Sequence, residues 1–94
     1  MKSRLEINRS DQYLSDLQAI HDYIEQDNPD AAISMLLHID NQVDSLTDPN
    51  FPRRLGRKAG TLELVAHPNY VVVLTQTATV VTVLTIMHVA RQYP

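Results

Sequence analysis

Two amphipathic segments joined by a short, helix-initiating link constrain the fold of this chain more than any other feature. Apolar side chains recur at steps of three and four between residues 13 and 24, and on a seven-residue rhythm between residues 32 and 46. Asn28 is a good helix cap, and Pro29 suits the first position of the helix that follows. Because so few residues separate the two segments, the pattern predicts an antiparallel helical hairpin.

The rest of the chain has the character of β-strands placed around this hairpin. Residues 3–8 alternate polar and apolar, whereas residues 61–67, 70–74 and 80–89 are rich in β-branched and aromatic side chains. The order predicts an α+β fold with the topology β-α-α-β-β-β. We expect the helical hairpin to pack on one face of a small, mainly antiparallel twisted sheet, which leaves the other face without cover from this chain.

Length and composition limit the classes of protein that remain. The chain has 94 residues, of which 44% are hydrophobic, so we expect one domain that spans residues 1–94. The absence of cysteine excludes a disulfide framework, a thiolate metal site and a cysteine nucleophile. No apolar run is long enough to span a bilayer, and residues 1–20 lack the apolar stretch of a signal peptide. We therefore expect a cytoplasmic protein that does not contact a membrane.

Charge is distributed unevenly along the chain. Residues 10–48 contain nine acidic side chains and no Lys or Arg, whereas residues 49–60 contain four cations and no acid. The net charge of −3 argues against a freely diffusing nucleic-acid binder, which is usually basic. The basic loop can nevertheless act locally, although it also fits a solvated loop that balances the acidic helical pair. The four cations are Arg53, Arg54, Arg57 and Lys58.

Three groups of residues are candidates for chemistry: the basic loop, one carboxylate, and a cluster in the last segment. In an antiparallel meander the end of the last strand can lie near the loop that feeds the first, so these groups are expected to come together. A base, an acid and guanidinium groups around one phosphate can cleave RNA without a metal. The same set equally suits a polar recognition patch. The residues are Arg53, Arg54, Arg57 and Lys58 in the loop, then Glu63, and finally His88, Arg91 and Tyr93.

Structural interpretations of these residues stay open beside the catalytic one. A histidine such as His88 on an apolar strand is often buried and hydrogen-bonded, and Glu63 fits an ion pair with the basic loop. Tyr93 fits a packing role. No phosphate-binding glycine loop is present, and the four histidines share no metal-ligand spacing, so we expect neither a metal site nor a cofactor.

Five segments, taken in order, resemble those of the RelE/ParE family of toxins from bacterial type II toxin–antitoxin modules. The most characteristic is Leu-Gly-Arg-Lys-Ala-Gly-Thr-Leu-Glu-Leu-Val at residues 55–65, followed by His-Pro-Asn-Tyr-Val-Val-Val at residues 67–73. The remaining three correspond to the first helix, the link between the helices, and the closing strand with its tail. They are residues 16–24, 28–32 and 83–94.

The resemblance implies a growth-inhibiting toxin that a cognate antitoxin neutralises. Its oligomeric state stays open between a dimer and a toxin–antitoxin heterotetramer or higher assembly. Two activities occur in the family; the first is our candidate mechanism and the second is the alternative. One branch cleaves ribosome-bound mRNA without a metal, by attack of the 2′-hydroxyl; the other inhibits DNA gyrase and is not a nuclease. For the nuclease, we assign Glu63 or His88 as the candidate general base and Tyr93 as a stacking or proton-relay group. The phosphate and the transition state would be bound by Arg57, Lys58 and Arg91.

The chain departs from the family pattern at two positions. Leu62 stands where relatives commonly have arginine, and Thr85 stands where many have arginine in the last strand. We expect both changes to remove cations from the region that would hold a phosphate. They therefore also fit a toxin of reduced activity.

Overall fold

The computed structural model describes residues 4–91 and confirms the predicted α+β fold, in which two helices pack on one face of a mixed sheet. Two short 3-10 turns follow the second helix and the last strand, at Ser45–Thr47 and Val89–Arg91. In chain order the elements are β1 (Glu6–Arg9), α1 (Asp11–Glu25), α2 (Pro29–Asp44), β2 (Arg54–Leu55), β3 (Leu62–His67), β4 (Tyr70–Gln76) and β5 (Val80–His88).

The helical hairpin turns where the sequence predicts, and each of its helices begins at a capping side chain. The Ser10 hydroxyl accepts a hydrogen bond from the backbone N–H of Tyr13 at 3.0 Å, which caps α1. The Asn28 side chain accepts one from the N–H of Ala31 at 3.1 Å, and Pro29 takes the first position of α2. These caps satisfy amide groups that have no partner within their own helix, so each helix can begin at a fixed residue.

The sheet has the strand order β1-β5-β4-β3-β2. β1 pairs with β5 in parallel, with Ile7 opposite Val81, and the other three pairings are antiparallel. The short strand β2 lies inside the basic loop, where the sequence shows no strand pattern. It forms because Leu55 pairs with Leu62 across the ladder, a contact between residues that only the folded chain brings together.

Side-chain alternation divides the three long strands between two faces. Leu64 on β3 stands opposite Val72 on β4, and both are buried against the helices. The intervening positions, Glu63 and Val73, point to the other face. The core on the helix side is completed by apolar residues of both helices, of the 3-10 turn after α2 and of β5. These include Tyr13, Leu17, Ile39, Val43, Leu46, Val81, Val83 and Ile86.

A polar network fastens the helices to the start of the sheet. The Arg9 guanidinium, at the end of β1, binds Asp40 at 3.0 Å and also binds Asp44, both on α2. The Tyr13 hydroxyl donates to the same Asp40 carboxylate at 2.8 Å. Arg9 therefore neutralises part of the acidic segment, and the network joins β1, α1 and α2.

Within residues 4–91, no helix is both long and apolar enough to cross a membrane.

Candidate functional site

A hydrogen-bonded loop in the basic segment, residues 56–61, arches beside the sheet face that the helices do not cover. Gly56 N–H donates to the Thr61 carbonyl at 2.9 Å, and the N–H and hydroxyl of Thr61 donate to the Lys58 carbonyl at 3.1 and 2.7 Å. A Cβ at Gly56 would lie 2.1 Å from Thr61 Oγ1, and Gly60 has a φ of +84°. Both glycines are therefore needed to form this loop, called the arch below.

Glu63 lies beneath the arch and is 3% exposed. Its Oε1 accepts from Arg54 Nε at 3.1 Å and lies 3.0 Å from Arg54 Nη2, while its Oε2 accepts from the backbone N–H of Arg57 at 3.3 Å. Both carboxylate oxygens are thus engaged by the chain itself, and the strand pairing that forms β2 sets Arg54 opposite Glu63. This contact is the ion pair between Glu63 and the basic loop that the structural interpretation predicts, and the Glu63 side chain in it is almost fully buried.

The arch and the open sheet face enclose a cleft of about 300 Å³. Its floor is apolar, with hydroxyl groups at its side and the cations of the arch at its rim. Such a cleft can hold an anionic or apolar group of a partner, because the arch supplies positive charge beside an apolar floor. The lining residues are Arg57, Lys58, Thr61, Glu63, Val73, Leu84, Thr85 and Met87.

His88 does not join this cleft, which corrects the prediction that Glu63 and His88 come together. Glu63 pairs with Val73 and His88 pairs with Tyr70, so the two partners on β4 are three positions apart and point to opposite faces. His88 lies on the helix side, beside a cavity of about 160 Å³ that Asp16 and Tyr70 also line. Its Nδ1 accepts from the N–H of Ala90 at 3.1 Å, and its ring contacts Tyr70 edge-on.

Arg53 was predicted to bind phosphate, but its guanidinium is directed into its own loop. It donates to the carbonyls of Phe51 and Asp48, and to the Gln76 side chain at 2.9 Å. Burial lowers the pKa of Arg53 from its ordinary value, and the nearby Asp48 carboxylate opposes this shift. Arg53 therefore ties the loop to the end of β4. Among the predicted phosphate binders, Arg57 and Lys58 remain at the rim of the cleft.

The two positions that depart from the family pattern have different surroundings. Leu62 packs against the core on the helix side, opposite Leu74, so its side chain does not line the cleft. Thr85 does line the cleft, and its hydroxyl donates to Asp16. Tyr93 lies outside the described residues, as does the side chain of Arg91, whose backbone closes the final turn.

Two arrangements in the structure were not anticipated from the sequence. Asp16 caps the edge of β5 by accepting from the Ile86 N–H at 3.0 Å, beyond the point where β1 ends. Rings of four residues also follow one another at centroid distances between 5.1 and 6.1 Å, across the end of the sheet. The sequence features that could have indicated them are an acidic residue on the sheet side of α1, for the Asp16 contact, and histidines near strand ends, for the series of rings. The four rings are those of His38, His67, Tyr70 and His88.

One cluster of possible metal ligands occurs within residues 4–91, on the exposed tip of α1. It consists of His21, Asp22 and Glu25. The His21 Nδ1 is 3.2 Å from Asp22 and its Nε2 is 4.0 Å from Glu25, so both nitrogens already face carboxylates. A hydrogen bond from Gln18, followed by one from His21, lowers the pKa of Asp22. The expectation of no metal site stays a prediction.

Comparison with known proteins gives matches along almost the whole chain. A family model described as the ParE toxin of the type II toxin–antitoxin system parDE matches residues 7–93. The chain is 35% identical over 92 residues to Y4kP of Sinorhizobium fredii, described as a candidate toxin, with 98% of this chain and 96% of Y4kP covered. It is 40% identical over 79 residues to toxin RelE2 of Caulobacter vibrioides, with 83% and 88% covered.

Two solved structures share the fold at low sequence identity. One comes from the chromosomal ParDE toxin–antitoxin system of P. aeruginosa, with a TM-score of 0.81, 19% identity, and 90% of this chain and 96% of that chain covered. The other is the toxin–antitoxin complex RelBE2 of Mycobacterium tuberculosis, with a TM-score of 0.61, 14% identity and 94% of both chains covered.

Proposed function

The chain belongs to the ParE toxin family of type II toxin–antitoxin systems, and from this premise we propose that it stops growth by binding DNA gyrase rather than by cutting RNA. Gyrase inhibition needs an interaction surface, whereas RNA cleavage needs a constellation of catalytic groups. The toxin class follows from the family itself. The target and the mechanism are the proposal.

One observation supports this choice: Glu63 and His88 lie on opposite faces of the sheet. Cleavage by 2′-hydroxyl attack is fastest when a base and an acid reach the same phosphate group. Glu63 has both oxygens engaged by Arg54 and Arg57, and His88 lies beside α1 on the other side of the sheet. Within residues 4–91, these two candidates therefore do not form an acid–base pair.

The nuclease activity remains the second candidate because the rim of the cleft carries Arg57 and Lys58 above the Glu63 carboxylate. In that activity Glu63 would act as base, with Arg57, Lys58 and Arg91 on the phosphate and Tyr93 in the stacking or relay role. Arg54 would first have to release Glu63. A toxin of reduced activity is the third candidate.

Two assays on the purified protein separate these candidates. In the first, gyrase relaxes or cleaves a supercoiled plasmid in the presence of the protein. In the second, mRNA 5′ ends are mapped in a translating ribosome mixture. We expect accumulated gyrase–DNA cleavage complexes and intact message. New mRNA ends inside codons would contradict the proposal and support the nuclease. No effect in either assay would support a toxin of reduced activity.

We further propose that a cognate antitoxin covers an apolar strip on the helical hairpin and neutralises the arch. Leu14 is 48% exposed, and Ile33 and Leu37 are each 53% exposed, which is high for large apolar side chains on neighbouring helices. A segment that folds on binding can bury such a strip and reach the basic loop as well. The association into a toxin–antitoxin heterotetramer is part of this proposal.

A further inference from the structure

Two histidines at one end of the sheet accept hydrogen bonds from the backbone that follows them. His67 Nδ1 accepts from the N–H of Asn69 at 3.0 Å, in the turn between β3 and β4. His88 Nδ1 accepts from the N–H of Ala90 at 3.1 Å, in the turn after β5, Val89–Arg91. An imidazole nitrogen accepts only while it carries no proton, so both hydrogen bonds require a neutral ring with its hydrogen on Nε2.

The two turns are also hydrogen-bonded to each other. The Asn69 carbonyl accepts from the N–H of Val89 at 2.9 Å. The turn that His67 fixes therefore anchors the first residue of the turn after β5, and His88 fixes the next residue of that turn. One series of hydrogen bonds thus links the end of β3 to the end of β5, and two neutral histidines are needed to complete it.

The groups that face these rings respond differently to a proton. His67 lies against His38 of α2, with 6.1 Å between the ring centroids, so a charge on one ring opposes a charge on the other. Tyr70 of β4 lies 5.9 Å from His67 and 5.1 Å from His88, and a tyrosine is uncharged when histidines titrate. His88 and the Asp16 carboxylate of α1 line one cavity. A protonated His88 is therefore attracted towards α1 and away from its own turn.

We propose that His67 and His88 form a pH-sensitive switch that fixes the turn after β5 when both rings are neutral and loosens it when they are protonated. A protonated ring directs an N–H at the backbone N–H from which it accepted, so repulsion replaces the hydrogen bond. The two bonds are present above the range near pH 6.5, roughly, in which histidine takes up a proton, and they are lost as the pH falls through that range.

Amide hydrogen exchange measured by NMR between about pH 8 and about pH 5 tests the proposal. Each rate is compared with that of an unstructured amide at the same pH, which gives a protection factor. We expect the protection of the Asn69 and Ala90 amides to fall about fivefold over this range, as for the loss of one ordinary hydrogen bond.

Asparagine is the matched substitution, because its side-chain oxygen accepts from the N–H two residues further on and does not titrate. We expect His88→Asn to keep the Ala90 amide protected at both pH values while Asn69 still responds. His67→Asn should give the reverse result. His21→Asn, on the exposed tip of α1, is the control and should respond as the unmodified protein does.

Three results would overturn the proposal. The first is equal protection of the Asn69 and Ala90 amides at both pH values, or a loss that persists in the two asparagine variants. The second is a hydrogen on Nδ1 of either neutral ring, seen in the ¹⁵N shifts of the imidazoles. The third is an equal loss of protection throughout β4 and β5, which would mean that acid acts on the whole fold. None of these measurements uses gyrase or ribosomes, so this proposal and the proposed function can fail separately.

Discussion

At the scale of single residues, Glu63 is the only charged side chain among the described residues that is almost completely buried. A buried carboxylate is stable only when its charge is compensated, and here Arg54 and the Arg57 amide supply that compensation. We expect Glu63→Gln to lower the free energy of unfolding by about 1–2 kcal/mol, because Arg54 is half exposed and can turn to water.

Denaturant titration of Glu63→Gln, Arg54→Gln and the double variant checks this value. A coupling energy of about 0.5 kcal/mol or more between the two positions is expected for groups in direct contact. Purely additive effects would show that the ion pair contributes nothing to stability. In that case the buried carboxylate would need another explanation, such as the catalytic role.

Tyr13 gives a pH dependence whose sign follows from its burial. Burial, followed by its hydrogen bond to Asp40, raises the pKa of the Tyr13 hydroxyl above its ordinary value. In the unfolded chain this group loses its proton near pH 10, whereas in the folded chain it keeps it. The stabilisation of the folded state by the protonated Tyr13 hydroxyl is thus fully present below about pH 10 and is lost as the pH rises beyond that value.

Thermal melts between neutral and strongly alkaline pH measure this dependence. We expect the alkaline decrease in Tm to become shallower in Tyr13→Phe, which has no proton to lose. Tyr23→Phe is the control, since Tyr23 is 62% exposed. An identical alkaline decrease in Tyr13→Phe and the unmodified protein would contradict the assignment.

At the scale of elements, the hairpin could be predicted from the sequence, and the site only in part. The caps at Ser10 and Asn28 are local signals, because each acts on amides within three residues. β2 has no such signal, since it exists only through pairing with β3. The faces of Glu63 and His88 depend on the register of β3 and β5 against β4, which no sequence pattern reveals.

The arch is an element whose shape depends on Gly56. A methyl group there would overlap Thr61 Oγ1 and approach the Thr61 carbonyl carbon and oxygen at 3.0 Å. We expect Gly56→Ala to destabilise the protein by about 1–3 kcal/mol, a typical cost of forced overlap. Chemical denaturation measures the change. Ala59→Gly, within the same loop, is the control and should cost less; equal effects would show that the loop tolerates rearrangement.

The cations of the arch are expected to matter for toxicity and not for folding. Arg57→Ala with Lys58→Ala should abolish growth inhibition while Tm stays nearly unchanged, because exposed loop side chains contribute little to the core. Growth after induction and a thermal melt of the same variant provide the two measurements. A fall of many degrees in Tm would show that the loop is structural and would contradict its assignment as a binding surface.

At the scale of the whole molecule, two surfaces of different character are offered to an antitoxin. The helical hairpin presents exposed apolar side chains, and the arch presents cations. We expect raised salt to slow association with the antitoxin and to leave dissociation almost unchanged, because charges steer the encounter while apolar contacts hold the complex. Surface plasmon resonance at several salt concentrations measures both rates. An association rate independent of salt would place the arch outside the interface.

The pairing of β1 with β5 has a consequence for when the protein becomes active during synthesis. β5 lies between β1 and β4 and also receives the Ser10 and Asp16 side chains, yet it follows all of these in the chain. A nascent chain that has not yet exposed β5 has no partner for β1 and no edge on which α1 can dock. The sheet, and with it the β5 side of the cleft, therefore forms only after β5 has emerged from the ribosome.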